Sequence, residues 1–147
     1  MNKKEILISG SCLYKNYAGK TLWFIIKSDE ESDWGLPKTN VRRGESSVRT
    51  AIRSAAERGA MKVKVLEEVG RFGGATVVSG KTLSLKTIFY LMNLKGFEGE
   101  AIGYFEEAWL EYTKAAKKLV AKRDQNILKS ANKLLAEIEK QKSKKRN

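Results

Sequence analysis

Apolar residues recur along the chain with two periods, and each period marks a kind of element. After Glu45, the residues Val48, Ala51, Ile52 and Ala55 are separated by 3, 1 and 3 positions, the spacing of one face of an α-helix. The spacing predicts a helix over residues 46–58, with Ala51, Ile52 and Ala55 buried and Gly59 as its C-terminal cap. Towards the end, Ile127, Leu128, Ala131, Leu134, Leu135 and Ile138 repeat at 1, 3, 3, 1 and 3. This second stripe predicts a C-terminal amphipathic helix that needs a core to lie against. Elsewhere the pattern is that of strands. Residues 3–13 and "TLWFIIKS" (21–28) are apolar runs rich in β-branched and aromatic residues, and the turn-forming "NYAG" (16–19) between them predicts a hairpin. "MKVKVLEEVG" (61–70), "ATVVSG" (75–80) and "LSLKTIFYLMNL" (83–94) read as three further strands, with "RFGGA" and "SGK" as breaks.

Strands, helix, strands, helices in that order predict an α+β domain with a mixed sheet and the first helix packed on it. The 147 residues fit one domain over 1–140. The closing "QKSKKRN" (141–147) has no apolar residue and is expected to be a disordered basic tail.

Composition narrows the chemistry. The chain has no histidine and one cysteine, which excludes Ser-His and Cys-His catalysis, histidine metal sites and thiolate clusters. Any metal must be held by oxygen ligands, which points to Mg²⁺ or Mn²⁺. A single Cys12 forms no internal disulfide and fits a reducing, cytoplasmic setting. No apolar run approaches the roughly 18 residues needed to span a bilayer, so no membrane partner is expected. The net charge of +12 is uneven: from Lys114 onward there are 12 Lys/Arg against 3 Asp/Glu. Residues 114–147 are therefore either a nucleic-acid-binding segment or a solvated basic helix.

The stretch "LPKTNVRRGESSVRTAIRSAAERGA" (36–60) carries a resemblance. The signature of the Nudix hydrolase family reads Gly, five residues, Glu, seven residues, Arg-Glu, an apolar residue, any residue, Glu-Glu, any residue, Gly. Glu45 matches the first glutamate, Arg53 the arginine, Ala55 the apolar position and Glu57 the first of the paired glutamates. "ISGSCLYKN" resembles the family's opening strand, "WGLPK" its lead-in and "LKTIFYLMNL" its central strand. "EEAWLEYTKAAKKLVAKRDQNILKSANKLL" resembles its closing segment, in the branch that includes dinucleoside polyphosphate hydrolases. The resemblance implies a Nudix-like α/β/α sandwich, with the box helix after Glu45, over nearly the whole chain.

The departures fall on the chemistry. Thr39, Ser54, Arg58 and Ala60 stand where the signature has glycine, glutamate, glutamate and glycine. In active members the glutamates at the positions of Ser54, Glu57 and Arg58 bind divalent cations. Residues three and four apart share a helix face, so here that face holds a hydroxyl, a carboxylate and a guanidinium, with formal charge 0 rather than −3.

Three readings follow. In the first, the protein is a Nudix-fold binder of a nucleoside diphosphate-linked or dinucleoside polyphosphate ligand, with hydrolysis lost or reduced and no cofactor. Arg58, with Lys38, Arg42 and Arg43, would take phosphate; Trp34 would either stack on a base or cover the sheet edge. In the second, Glu45, Arg53 and Glu57 serve a Mg²⁺- or Mn²⁺-dependent diphosphohydrolase. Glu45 and Glu57 would then hold the metal with a later acid from Glu98, Glu100, Glu106 or Glu107. In the third, residues 114–147 contact RNA.

Overall fold

The computed structural model describes residues 5–101 and 103–145. β1 (Glu5–Tyr17) and β2 (Lys20–Lys27) form the expected hairpin, turning on Ala18 and Gly19 at φ 50° and 78°, the left-handed pair of a tight two-residue turn. β3 (Lys38–Asn40) is a short antiparallel addition to β1. After α1 (Ser47–Gly59) come two long antiparallel strands, β4 (Met61–Val78) and β5 (Lys81–Phe97). β6 (Glu106–Leu110) pairs with β2, and α2 (Tyr112–Lys118) and α3 (Lys122–Lys145) close the chain. The sheet order is β4-β5-β1-β2-β6, with β1 and β5 parallel and the other pairs antiparallel.

Helices cover both faces of this mixed sheet. Cys12, Trp23, Ile25, Phe89 and Leu91 pack with Leu119, Ile127, Leu128, Ala131 and Leu135 on the α2–α3 side. Leu13, Phe24, Ile26 and Met92 pack with Ala51 and Ala55 of α1 on the other. The central strands are continuous apolar runs because successive side chains enter different cores. The result is the α/β/α sandwich. No helix among the described residues is long and apolar enough to cross a membrane.

The structure corrects the sequence reading at several points. "MKVKVLEEVG" and "ATVVSG" belong to one strand. Gly73 and Gly74 pair with Lys86 and Leu85 in unbroken register, while the irregularities lie earlier, at Lys62/Val63, Val65/Glu67 and Glu68/Gly70. Gly59 ends α1 but is not its left-handed residue; that role falls to Ala60 at φ 51°, whose N–H bonds the Ala55 carbonyl. A Cβ at Gly59 would require the end of the Met61 side chain to shift. α3 continues through Lys145, past the boundary expected at Gln141. Residues 3 and 4 of the expected first strand, and 146–147 of the expected tail, lie outside the described residues.

The α1 face is also turned. Ala51 and Ala55 are buried as expected, but Ile52 is 41% exposed, while Thr50 and Ser54 are 0% and 6% exposed. The apolar count put the buried face about one residue, or 100°, out of place. Two buried hydroxyls are tolerated because both are bonded: Thr50 Oγ1 gives its one proton to the Glu45 carboxylate, with the Ser46 carbonyl 3.0 Å away, and Ser54 Oγ lies 2.7 Å from Thr39 Oγ1. Ile52→Lys should therefore change stability by no more than about 0.5 kcal/mol in urea unfolding. Ala51→Lys, which drives an ammonium into the α1 core, should cost more than about 3 kcal/mol. Equal losses in the two variants would contradict this orientation of the helix.

Candidate functional site

"WGLPK" crosses from one strand to another and is fixed at both ends. Gly35 exchanges two backbone hydrogen bonds with Ile26, each 2.9 Å, and the Pro37 carbonyl accepts from Ser11 N–H at 3.0 Å. β3 then lays Lys38, Thr39 and Asn40 along β1. Beyond it, Glu45 N–H bonds the Arg42 carbonyl at 3.0 Å, and Gly44 at φ 79° supplies the left-handed residue of this turn. Ser46 caps α1 by accepting from Arg49 N–H.

The turn is tied to the helix through one carboxylate. Arg53 Nε donates to Glu45 Oε2 at 2.8 Å and Arg53 Nη2 to Oε1 at 3.0 Å, a two-point guanidinium–carboxylate pair. Thr50 Oγ1 donates to the same Oε1 at 2.5 Å. The Arg53 bonds foremost, and then the Thr50 hydroxyl, hold the Glu45 carboxyl at about 2 against a usual value near 4.5. The bonds Arg53 donates to Glu45, aided by the charges of Glu45 and Glu57, raise the pKa of the Arg53 guanidinium.

One turn further, Glu57 Oε2 is 3.4 Å from Arg53 Nη1 and 3.8 Å from Arg42 Nη2. Arg58 lies next to it, exposed, with no ion-pair partner among the described residues. Its carbonyl accepts from Gly103 N–H at 3.1 Å, and a Cβ on Gly103 would stand only 2.7 Å from Arg58 Cα, so the loop after β5 lies directly on the helix end. Burial raises the Tyr104 phenol, opposed by its hydrogen bond with Ser54 and the charge of Arg58.

These groups surround an open cleft of about 470 Å³. β3 and the turn contribute Lys38, Thr39, Asn40 and Arg42; α1 contributes Arg53, Ser54, Glu57 and Arg58. The structure thus brings Ser54, Glu57 and Arg58 onto one surface, as their spacing predicts. Four cations face one carboxylate. Glu45 stands behind this lining, spent on Arg53 and Thr50. Arg43 is exposed on the turn and outside the lining, and Trp34 lines a different hollow.

Lys38 sits between the two openings, its Nζ 2.8 Å from Oδ2 of the buried Asp124. Asp124, Thr50 and Tyr104 are the partners the sequence reading missed. Asp124 has one faint signal, a lone acid in the first turn of a basic helix.

The donor set does not suit Mg²⁺ or Mn²⁺. A hard dication needs several oxygen ligands free to face it, and Glu57 is flanked by Arg42 and Arg53 with Arg58 adjacent. The later acids do not join it: Glu98 pairs with Lys62 at 2.8 Å, and Glu100, Glu106 and Glu107 are exposed and outside the cleft lining. Among the described residues no three His, Cys, Asp or Glu side chains group in a way that could hold a metal ion.

No protein-family model matches the sequence, and no curated protein matches it. Solved structures do. An Ap4A hydrolase from C. elegans in a binary complex superimposes with a TM-score of 0.66 at 21% identity, over 89% of this chain and 98% of that one. A Nudix hydrolase from Nitrosomonas europaea gives 0.70 at 10% identity, over 88% and 89%. The Nudix domain of Shewanella oneidensis NrtR, complexed with ADP ribose, gives 0.64 at 14%, over 91% and 90%. The chain has the Nudix fold. On that fold α1 carries the stretch that resembles the Nudix signature, and Ser54, Glu57 and Arg58 line the cleft.

The acid limb of stability should report the Glu45 pair. A carboxyl depressed in the folded state adds stability above its unfolded value, and that contribution is lost as pH falls through the folded value. Wild type should lose it between about pH 4.5 and 2. Glu45→Gln should be less stable at pH 7 and show a shallower decline across that window. Parallel pH profiles for the two proteins would mean the pair does not govern this region.

Proposed function

We propose that the protein binds a nucleoside diphosphate-linked or dinucleoside polyphosphate ligand in the α1 cleft, through guanidinium groups rather than metal, with hydrolysis lost or reduced. The observation that carries this reading is the arrangement on α1: Glu57 held between Arg42 and Arg53, with Arg58 beside it where the signature has a glutamate. A diphosphate entering here meets fixed positive charge without first recruiting it. Guanidinium suits phosphate because its planar fork donates to two oxygens at once. Ap4A, in the name of one structural neighbour, and ADP ribose, bound to another, both carry phosphate anhydrides, the first between two adenosines and the second between adenosine and a ribose.

Water activation is the step this site lacks. Attack on phosphorus requires a base to take the proton from water and a charge to stabilise the developing phosphorane oxygens. Arg42 and Arg58 can supply the second. The Glu45 carboxylate is committed to Arg53 and Thr50, and the Glu57 carboxylate is paired with Arg42 and Arg53, so neither stands free to take the proton. Binding without efficient turnover follows.

Two measurements test this. With EDTA present, calorimetry should show ADP ribose binding, weakened by added salt, and Arg58→Ala should reduce affinity at least about tenfold. Wild type should show little Mg²⁺-dependent rise in melting temperature. Ser54→Glu with Arg58→Glu shifts the face by −3 in formal charge, and this variant should gain a clear Mg²⁺-dependent rise, because only the folded state presents the site. A tight Mg²⁺ site in wild type that vanishes in Glu57→Ala, with Mg²⁺-dependent phosphate release, would overturn the proposal.

A further inference from the structure

On the other side of Lys38 from the cleft lies a second hollow, of about 340 Å³, with different chemistry. Trp34 lines it, with Ser28, Ser32 and Asp33 from the loop after β2 and Val120 from the α2–α3 connection. Lys38 borders both spaces, its ammonium held by Asp124 Oδ2 at 2.8 Å and the Leu36 carbonyl at 3.3 Å. The partition is firm because Gly35 and Pro37 are bonded to β2 and β1. Trp34 and Lys38 are four residues apart, so their backbones are separated by at most about 14 Å.

Trp34 is a prepared aromatic surface. It is half-buried and packed against the α3-side core. Lys118 Nζ lies 5.0 Å from its ring centroid and Lys27 Nζ 5.9 Å. Both lysines have flexible stems and can yield the ring to a flat ligand while staying near it. The loop on this side carries Asp29, Glu30, Glu31 and Asp33, which offset the charges of Lys27 and Lys118 beside the ring, so the hollow has no surplus of cations for phosphate. The cleft, with four cations to one carboxylate, attracts it. The two spaces therefore sort the two ends of one molecule: an uncharged aromatic end for Trp34, and an anionic end for Arg42 and Arg58. A nucleobase has a π-face for the indole and ring or amino groups for the serine hydroxyls and Asp33.

We infer that the Trp34 hollow is a nucleobase subsite, and that the ligand is a nucleotide whose base stacks on Trp34 while its phosphate chain passes over Lys38 into the cleft. This rests on the reading of the cleft as a phosphate site, and adds the orientation of the ligand and the source of its base affinity.

The test compares ADP with inorganic pyrophosphate by calorimetry on the full chain in EDTA. ADP should bind at least about tenfold more tightly, the margin expected of one stacked base. Trp34→Ala should erase that margin and leave pyrophosphate affinity within about twofold. Fluorescence keeps the inference testable if Trp34→Ala does not fold: ADP should quench wild-type emission, and Trp34→Phe should bind ADP without that quenching. Pyrophosphate binding with no advantage for ADP overturns the subsite and leaves the cleft reading standing. An ADP advantage that survives in Trp34→Ala, or quenching unchanged in Trp34→Phe, also overturns the subsite. Absence of pyrophosphate binding overturns the cleft reading itself.

Discussion

The Glu45 carboxylate accepts from Arg53 through two nitrogens and from the Thr50 hydroxyl, and the shape of the cleft follows from that cluster. Glu45 is on a turn and its partners are on a helix, so the pair sets where the turn stands relative to α1. Arg42 comes from the same turn and can reach Glu57 because the turn is held there. The guanidinium of Arg53 is shared as well, with Nε and Nη2 on Glu45 and Nη1 towards Glu57. A long flexible side chain is thereby fixed before any ligand arrives, which lowers the entropy lost on binding.

The same cluster explains how Ser54 and Arg58 sit on one helix face with Glu57 in a coherent arrangement. Three carboxylates on one helix face repel one another unless a cation sits among them. With Ser54 and Arg58 in place, the face is internally balanced. Ser54 turns inward to Thr39, Glu57 is matched by arginines, and Arg58 faces the open cleft. The neighbouring cations keep their structural tasks, as Lys38 does in pairing with the buried Asp124. Removing Lys38 would leave an uncompensated carboxylate in the interior, so its charge serves the fold as well as the cleft.

Much of the fold was legible because apolar periodicity tracks burial where burial is large. The stripe from Ile127 to Leu135 lies on the sheet as its spacing predicts, and the β1–β2 hairpin was visible in its turn residues. The failures have physical causes. Gly73 and Gly74 look like a break, yet a glycine on an edge strand can keep its ladder bonds, and the irregularities fall earlier, between Lys62 and Gly70. Ile52 was expected inside because it is apolar, but Thr50 and Ser54 take the interior with their hydroxyls bonded. At the site, spacing brought 54, 57 and 58 together, since a helix fixes such neighbours by geometry. It could not reveal Lys38 with Asp124, or Ser54 with Tyr104, because those pairs are joined by the tertiary fold alone.

The sheet joins two very different kinds of strand pairing. β4 and β5 meet across a two-residue turn at Ser79 and Gly80 and then match along nearly their whole lengths. β1 and β5 run parallel, pairing Glu5 with Ser84 and Tyr14 with Asn93, across a separation of about 80 residues that must be closed first. The β4–β5 hairpin closes a short loop, whereas the parallel seam must first meet the larger loop-closure entropy of a long one. Until β1 docks, the apolar edge of β5 is unpaired, and a nascent chain is exposed to misassembly at this seam before the cleft exists.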